Sequence, residues 1–462
     1  MEDRTGTKRA SCPFAGTEPI GTGHIPALDG LRAVAVAIVC WYHIWQQSWL
    51  PPYIRGGIAK LFGKALLSFD FLPRTGYMLV DFMLLLSAFL LFLPYARARL
   101  EGGPLPGAGE FYFKRARRIL PSYWFCVLAI FFGYSLPAGL FSGFADAARE
   151  LGLHLTFTQI FSPRAYLDSR VNCVLWTVCV EMQLYLVFPL LARLFLKRPD
   201  AVWAAMTGLG HLFVYKLVLP DGDVRLLLNQ FPAFLGVFAN GMLAAYLLVW
   251  LSGRLRHSPG LSMLAGAGTV LDVWWIVRLL KTQAGAYGAD LQISQLQLRF
   301  PLSFAFAFLI LGVALGAKWV RRIFGCRPMR FLAGISFNLY MWHQWLAVRL
   351  KAWRIPYWSG DKAPNFTGDL PWQRKYTAIC FAAAFLAAML TTYLVEKPAA
   401  KLLDRMRARR LAAKPVPAAA FAAEPAGGSP EGPVEEAGAP EARPEESFAK
   451  TEEKETENDE AL

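Results

Sequence analysis

Of the 462 residues only 18% are charged while 55% are hydrophobic, and the mean hydropathy is +0.33. A soluble domain carries about 25% charged residues; here the shortfall sits in long uncharged runs, which excludes an ordinary water-soluble enzyme. The formal charge of +14 is uneven as well: residues 424–462 hold 13 acidic and 3 basic side chains, which leaves +24 on residues 1–423. That balance suits loops facing anionic lipid, and with no compact basic domain left over it excludes nucleic acid as a partner.

Residues 1–27 are polar and carry no apolar core of a signal peptide, so they are expected to be a cytoplasmic segment ahead of the first span. Crossing about 30 Å of hydrocarbon takes about 20 helical residues. Six uncharged runs fit: 33–50, 119–141, 231–251, 300–317, 331–348 and 376–395. Four more carry one charge each: 76–95 with Asp81, 174–192 with Glu181, 201–218 with Lys216 and 260–277 with Asp272. The expected fold is therefore all-α, a polytopic membrane bundle of about ten transmembrane helices over residues 28–400, ending in a basic juxtamembrane helix over 401–411. Residues 412–462, rich in Ala, Pro, Gly and Glu, cannot bury enough apolar surface to fold and read as a disordered acidic tail. With the N-terminus in the cytoplasm, the inner segments hold 27 Lys and Arg in 107 residues and the outer ones 17 in 118. The positive-inside rule then places both termini in the cytoplasm. The seven cysteines form no CxxC pair, so neither a disulfide framework nor a metal site is expected.

Polar residues inside the spans are the candidates for chemistry, because ionisable groups at membrane depth are costly and default to function. In the first span Arg32 and His43 are eleven residues apart, about 20° from a whole number of turns, and so share a face about 16 Å apart along the axis; Asp29 lies one turn before Arg32 and can pair with it. At the mouth of the third span, "FYFKRARRILPSYW" sets Lys114, Arg115 and Arg118 in a basic cluster, with Arg115 and Arg118 on one face, and arginine binds phosphate bidentately. In "VLWTVCVEMQLYLVFP", Glu181 and Tyr185 form one polar-tipped stripe and Trp176 and Gln183 another. In "GISFNLYMWHQW", Ser336, Tyr340 and His343 follow one another at helical spacing. Asp81 in the second span and the Glu396-Lys397-Pro398 stretch at the end of the tenth are lesser candidates; His24, His154, His211 and His257 read as surface or packing residues. A histidine that can take a proton from a hydroxyl near neutral pH, a carboxylate, and an arginine pair at a cytoplasmic entrance point to group transfer from a nucleotide-bearing donor to an alcohol. A transporter of a lipid-linked sugar or acyl donor, with the polar stripe as its path, is the competing reading.

Several stretches resemble the acyltransferase-3 family of integral membrane O-acyltransferases. "ALDGLRAVAVAIVCWYH" is similar to its first-span Arg-then-His signature and "FYFKRARRILP" to its Arg-x-x-Arg motif. "YMLVDFMLLLSAFLL" matches a Gly-Val-Asp-Phe-Phe-x-x-Ser-Gly-Phe segment at Val80, Asp81, Phe82, Ser87 and Phe89, and "LWTVCVEMQLY", "GISFNLYMWH" and "YLVEKP" resemble later motifs in the same order. The resemblance implies O-acylation, usually acetylation, of an exported or cell-surface carbohydrate or glycolipid at the cell membrane. The co-substrate would be acyl-CoA, in the usual case acetyl-CoA, with no tightly bound cofactor. It implies Arg32 and His43 as a catalytic pair, with His43 as base or transient acyl acceptor. Arg115 and Arg118, with Lys114, would hold the CoA phosphates. Glu181 would orient or charge the histidine in a cavity built with Asp29, Asp81, Ser87, Trp176, Gln183, Tyr185, Ser336, Tyr340 and His343. Membrane lipid and a separate extracytoplasmic acyl-transfer protein are the other implied partners. The sequence departs from the pattern at Ala88, where the family has Gly, and at Met83 and Leu84; the first puts close helix approach there in doubt.

Overall fold

A computed structural model describes residues 25–55, 66–221, 224–254, 259–288, 290–316 and 318–412. Most of the N-terminal segment, His24, His257 and all but the first residue of the acidic tail lie outside them. The chain divides into two units, residues 1–407 and 408–462; of the second, 408–412 are described, as the last residues of a helix.

The first unit is a helical bundle, as expected from composition. Its long helices are α1 (Pro26–Ser48), α2 (Phe71–Leu100), α3 (Ala108–Ser135), and then, after an extramembrane helix α4 (Phe144–Leu155), α5 (Cys173–Lys197), α6 (Pro199–Val218), α7 (Phe231–Ser252), α8 (Pro259–Ala284), α9 (Asp290–Leu315), α10 (Arg327–Ala352) and α11 (Leu370–Ala412). The strands β1 (Tyr53–Arg55) and β2 (Leu66–Ser68) pair antiparallel between α1 and α2. Nine of these helices are long and apolar enough to cross a membrane, among the described residues. The tenth expected span is α10. At 26 residues it is about 39 Å long, but its arginines and polar stripe lower its hydropathy. It can carry them because it is packed between α1 and α11 rather than turned to lipid.

Within lipid the hydrophobic effect does not drive helices together, so close packing of small residues has to. Helix α2 lies along α7, and a Cβ added at Gly241 of α7 would overlap the Leu85 carbonyl and stand 3.0 Å from the Ala88 Cβ. The close approach put in doubt by Ala88 is thus kept, with the glycine on the facing helix instead. α1 starts on Pro26, whose fixed φ suits a first turn, and ends at Trp49 in the left-handed conformation, φ 54°.

Candidate active site

The N-terminal ends of α1, α3 and α10 and the Thr391–Glu396 stretch of α11 converge on one face of the bundle. They enclose a vestibule with an empty volume of about 970 Å³ including its open mouth, lined, among the described residues, by Arg32, Lys114, Arg115, Arg117, Arg118 and Arg330 together with two carboxylates, Asp29 and Glu396. Lys114 is paired with Glu110 at 3.3 Å and Arg117 with Asp404, so both are occupied. Arg115 and Arg118 have no salt bridge among the described residues, and the Arg115 Nε is buried with no hydrogen-bond partner.

Deeper in, a chamber of about 830 Å³, again including its opening, is walled by α1, α2, α3, α5 and α10. Arg32, Arg115 and Arg118 line both spaces, which makes the arginines the doorway between them. Glu181 is the chamber's carboxylate. Its Oε1 accepts a hydrogen bond from Ser87 Oγ at 2.6 Å and another from the Tyr185 hydroxyl one turn on, which compensates part of the cost of placing it there. Thr177, Ser336 and Tyr340 complete the polar lining; the Ser336 hydroxyl is turned back to the Ala333 carbonyl at 2.8 Å, and the Tyr340 hydroxyl donates to the Val174 carbonyl at 3.3 Å.

Beyond Tyr340 stand two histidines. The Tyr340 and His343 ring centroids are 5.5 Å apart, and those of His343 and His43 are 5.1 Å apart. His343 is fully buried, with Nδ1 2.6 Å from the Tyr340 carbonyl oxygen. His43 is half-buried and its Nδ1 meets the Gln46 Oε1 at 3.1 Å.

The structure thus brings most of the site residues read from sequence to two adjoining spaces and a ring pair beyond them: Asp29, Arg32, Lys114, Arg115 and Arg118 at the vestibule, Ser87, Glu181, Tyr185, Ser336 and Tyr340 in the chamber, and His343 and His43 behind Tyr340. Four expectations need correction. Neither His43 nor His343 lines the chamber: His343 is fully buried behind Tyr340, and a rise of 1.5 Å per residue carries His43 about 16 Å from Arg32, past Tyr340. Glu181 does not orient it, because among the described residues its hydrogen bonds go to Ser87 and Tyr185. Asp81 is absent from the cavity wall: at 2% exposure it is ion-paired at 3.2 Å with Arg299, 3% exposed, whose remaining N–H groups reach the Leu228 carbonyl and Asn229 Oδ1. Trp176 and Gln183 also lie outside it, Trp176 stacked on Phe234 with centroids 6.1 Å apart. Sequence reasoning missed Thr177 and Arg330. Arg330 was legible in principle, since Arg330, Gly334, Phe337 and Tyr340 follow one helical face, but it reads equally well as the basic flank of a span.

Glu396, named as a lesser candidate, sits where α11 widens into a π-helical turn, a feature often found at functional sites. Its Oε2 accepts from Asn338 Nδ2 at 2.6 Å and from Ser122 Oγ at 3.4 Å, which ties α11 to α10 and α3 at the vestibule.

Comparison with known proteins gives a consistent result. The chain is 23% identical over 338 residues to the peptidoglycan O-acetyltransferase OatA of Listeria monocytogenes, covering 69% of this chain and 49% of that protein. It is 22% identical to the O-acetyltransferase OatA of Staphylococcus aureus, covering 72% and 52%, and 25% identical to nodulation protein 10 of Rhizobium leguminosarum, covering 84% and 97%. The chain spans about half the length of the two OatA relatives. No solved structure matches it at a significant level. The profile of the acyltransferase domain, type 3, matches residues 25–395, and by that match over most of its length the chain belongs to this acyltransferase family.

Proposed function

We propose that the protein is a multi-pass O-acyltransferase of the cell membrane that moves an acyl group, acetyl in the simplest case, from acyl-CoA to a hydroxyl of an exported or cell-surface carbohydrate. The observation that carries this reading is the trio of arginines shared by the vestibule and the chamber. CoA has an anionic nucleotide end and a slender amide-bearing arm. Its phosphates suit Arg32, Arg115 and Arg118, with Arg330 beside them, because guanidinium groups bind phosphate bidentately. The arm compares with a peptide of four to five residues and reaches roughly 15 Å, which agrees with the axial separation of about 16 Å between Arg32 and His43. A thioester held that way arrives at the histidine pair. Glu181, committed to Ser87 and Tyr185 through one oxygen, keeps the other for an N–H of the arm. His43 Nε2 then accepts the proton of the acceptor hydroxyl, a contribution typically of 10²–10⁴ in rate. Both termini lie in the cytoplasm on this reading, with the vestibule opening there. The O-acetyltransferase names of the two relatives support acetyl as the group.

The test is mass spectrometry of surface glycans and lipids from cells with and without the gene. Loss of an ester-linked acetyl group, restored by the wild-type gene but not by His43→Ala, is the expected result. Unchanged esters, together with uptake of a lipid-linked sugar into vesicles by the purified protein, would make it a transporter.

A further inference from the structure

Resting on the acyl-transfer reading above, we propose that His343 is the second half of a two-histidine proton relay: His43 takes the proton from the acceptor hydroxyl, and His343 delivers it to the departing CoA thiolate. The hydrogen-bond partners assign the tautomers. A carbonyl oxygen can only accept, so His343 Nδ1, 2.6 Å from the Tyr340 carbonyl, carries a hydrogen, and in the neutral ring Nε2 presents the lone pair. The Gln46 amide nitrogen donates to the Tyr42 hydroxyl at 2.8 Å, which turns Gln46 Oε1 to His43 Nδ1. His43 Nδ1 is therefore also the protonated nitrogen, and its Nε2 is free to accept. The two rings stand with centroids 5.1 Å apart, a gap that one water can bridge, and in their neutral forms both present Nε2 lone pairs. The His343 Nε2 is buried with no hydrogen-bond partner among the described residues. Such an orphan costs stability and calls for a reason.

Position divides the labour. His343 adjoins Tyr340 in the chamber wall, the side on which the thioester arrives. His43 is half-buried and bonded to the exposed Gln46, farther along α1 from Arg32. In the step, the acceptor oxygen forms its bond to the acyl carbon as His43 Nε2 takes the hydroxyl proton. The adduct collapses, the C–S bond breaks and its electron pair stays on sulfur. The proton moves from His43 Nε2 to His343 Nε2 and on to the thiolate. Both rings end neutral, and the products are the ester and CoA thiol.

The experiment compares two donors on the full-length protein: acetyl-CoA, and an acetyl thioester of thiophenol, whose thiolate leaves without needing a proton. His343→Asn keeps a donor for the Tyr340 carbonyl but cannot relay. It is expected to slow transfer from acetyl-CoA ~100-fold or more and transfer from the aryl thioester by less than ~5-fold, whereas His43→Gln slows both. Equal losses with both donors, or no loss with either, would overturn the relay while leaving acyl transfer standing; no transfer by the wild-type protein would overturn both. A second measurement needs no variant. Across acetyl thioesters of increasingly acidic thiols the wild-type rate should change little, and a steep rise with thiol acidity would refute proton delivery.

Discussion

Arg115 and Arg118 are a helical turn apart, and neither has a salt bridge among the described residues, whereas their neighbours Lys114 and Arg117 are paired with Glu110 and Asp404. A hydrogen bond to a charged group contributes about 1.5–3 kcal/mol, so Arg115→Ala and Arg118→Ala should each raise the KM for the acyl donor roughly tenfold or more, with smaller effects on kcat. Lys114→Ala should change it little; steady-state kinetics at varied donor concentration checks this contrast. His43→Ala should lower ester formation by ~10²–10⁴ without changing expression. The sequence already showed which polar residues share a face: Arg32 with His43, Arg115 with Arg118, and Ser336 with Tyr340 and His343. Those relations are local, fixed by 3.6 residues per turn. What it could not show was which faces meet. Nothing local says that Glu181 answers Ser87 rather than a histidine, or that His43 lies against His343, 300 positions away.

The same limit applies to whole elements. Asp81 read as a cavity residue because its partner, Arg299, lies far along the chain; together they are a buried pair joining α2 to α9. Breaking such a pair from one side costs about 3–5 kcal/mol, so Arg299→Ala should lower the thermal midpoint in detergent sharply, while leaving the donor KM of whatever protein remains folded unchanged. Gly241→Val should also lower it, because the added carbons meet the Leu85 backbone. Outside the membrane segments, α4 is held by Arg170, which bonds Asp146 at 2.5 Å and Glu150 at 2.7 Å. The Arg170 hydrogen bonds, aided by Ser142, hold the Asp146 carboxyl well below its ordinary value. Burial pushes the His154 imidazole down as well. Both groups favour their deprotonated forms in the folded state, so both stabilise less as the pH falls. The histidine contribution is lost below about pH 6.5, the carboxylate contribution below the usual carboxylate range. Protection factors for amide exchange over residues 142–172, taken relative to the intrinsic exchange rate at each pH, should therefore fall between pH 7.5 and pH 5, and protection that is flat or rises would contradict the assignment.

For the molecule as a whole, an all-α membrane bundle was readable from run length and charge content, and among the described residues nine helices are long and apolar enough to cross; α10, expected as a further span, falls short because it carries the polar stripe that lines the site. On the proposed topology the donor enters from the cytoplasm and the acceptor is met at the opposite end of the chamber, so truncation after Ala412, which removes only the acidic tail, should leave acyl transfer intact. On the proposed reading, one path joins the arginine doorway to the histidine pair. It is tested most directly with purified protein in sealed vesicles, acetyl-CoA supplied on the vestibule side and a glycan acceptor on the other, with free CoA thiol and glycan ester both measured. Equal amounts of thiol and ester are expected, abolished by His43→Ala and shifted to higher donor concentration by Arg115→Ala. Ester formation that survives both substitutions unchanged, or that requires donor and acceptor on the same side, would contradict it.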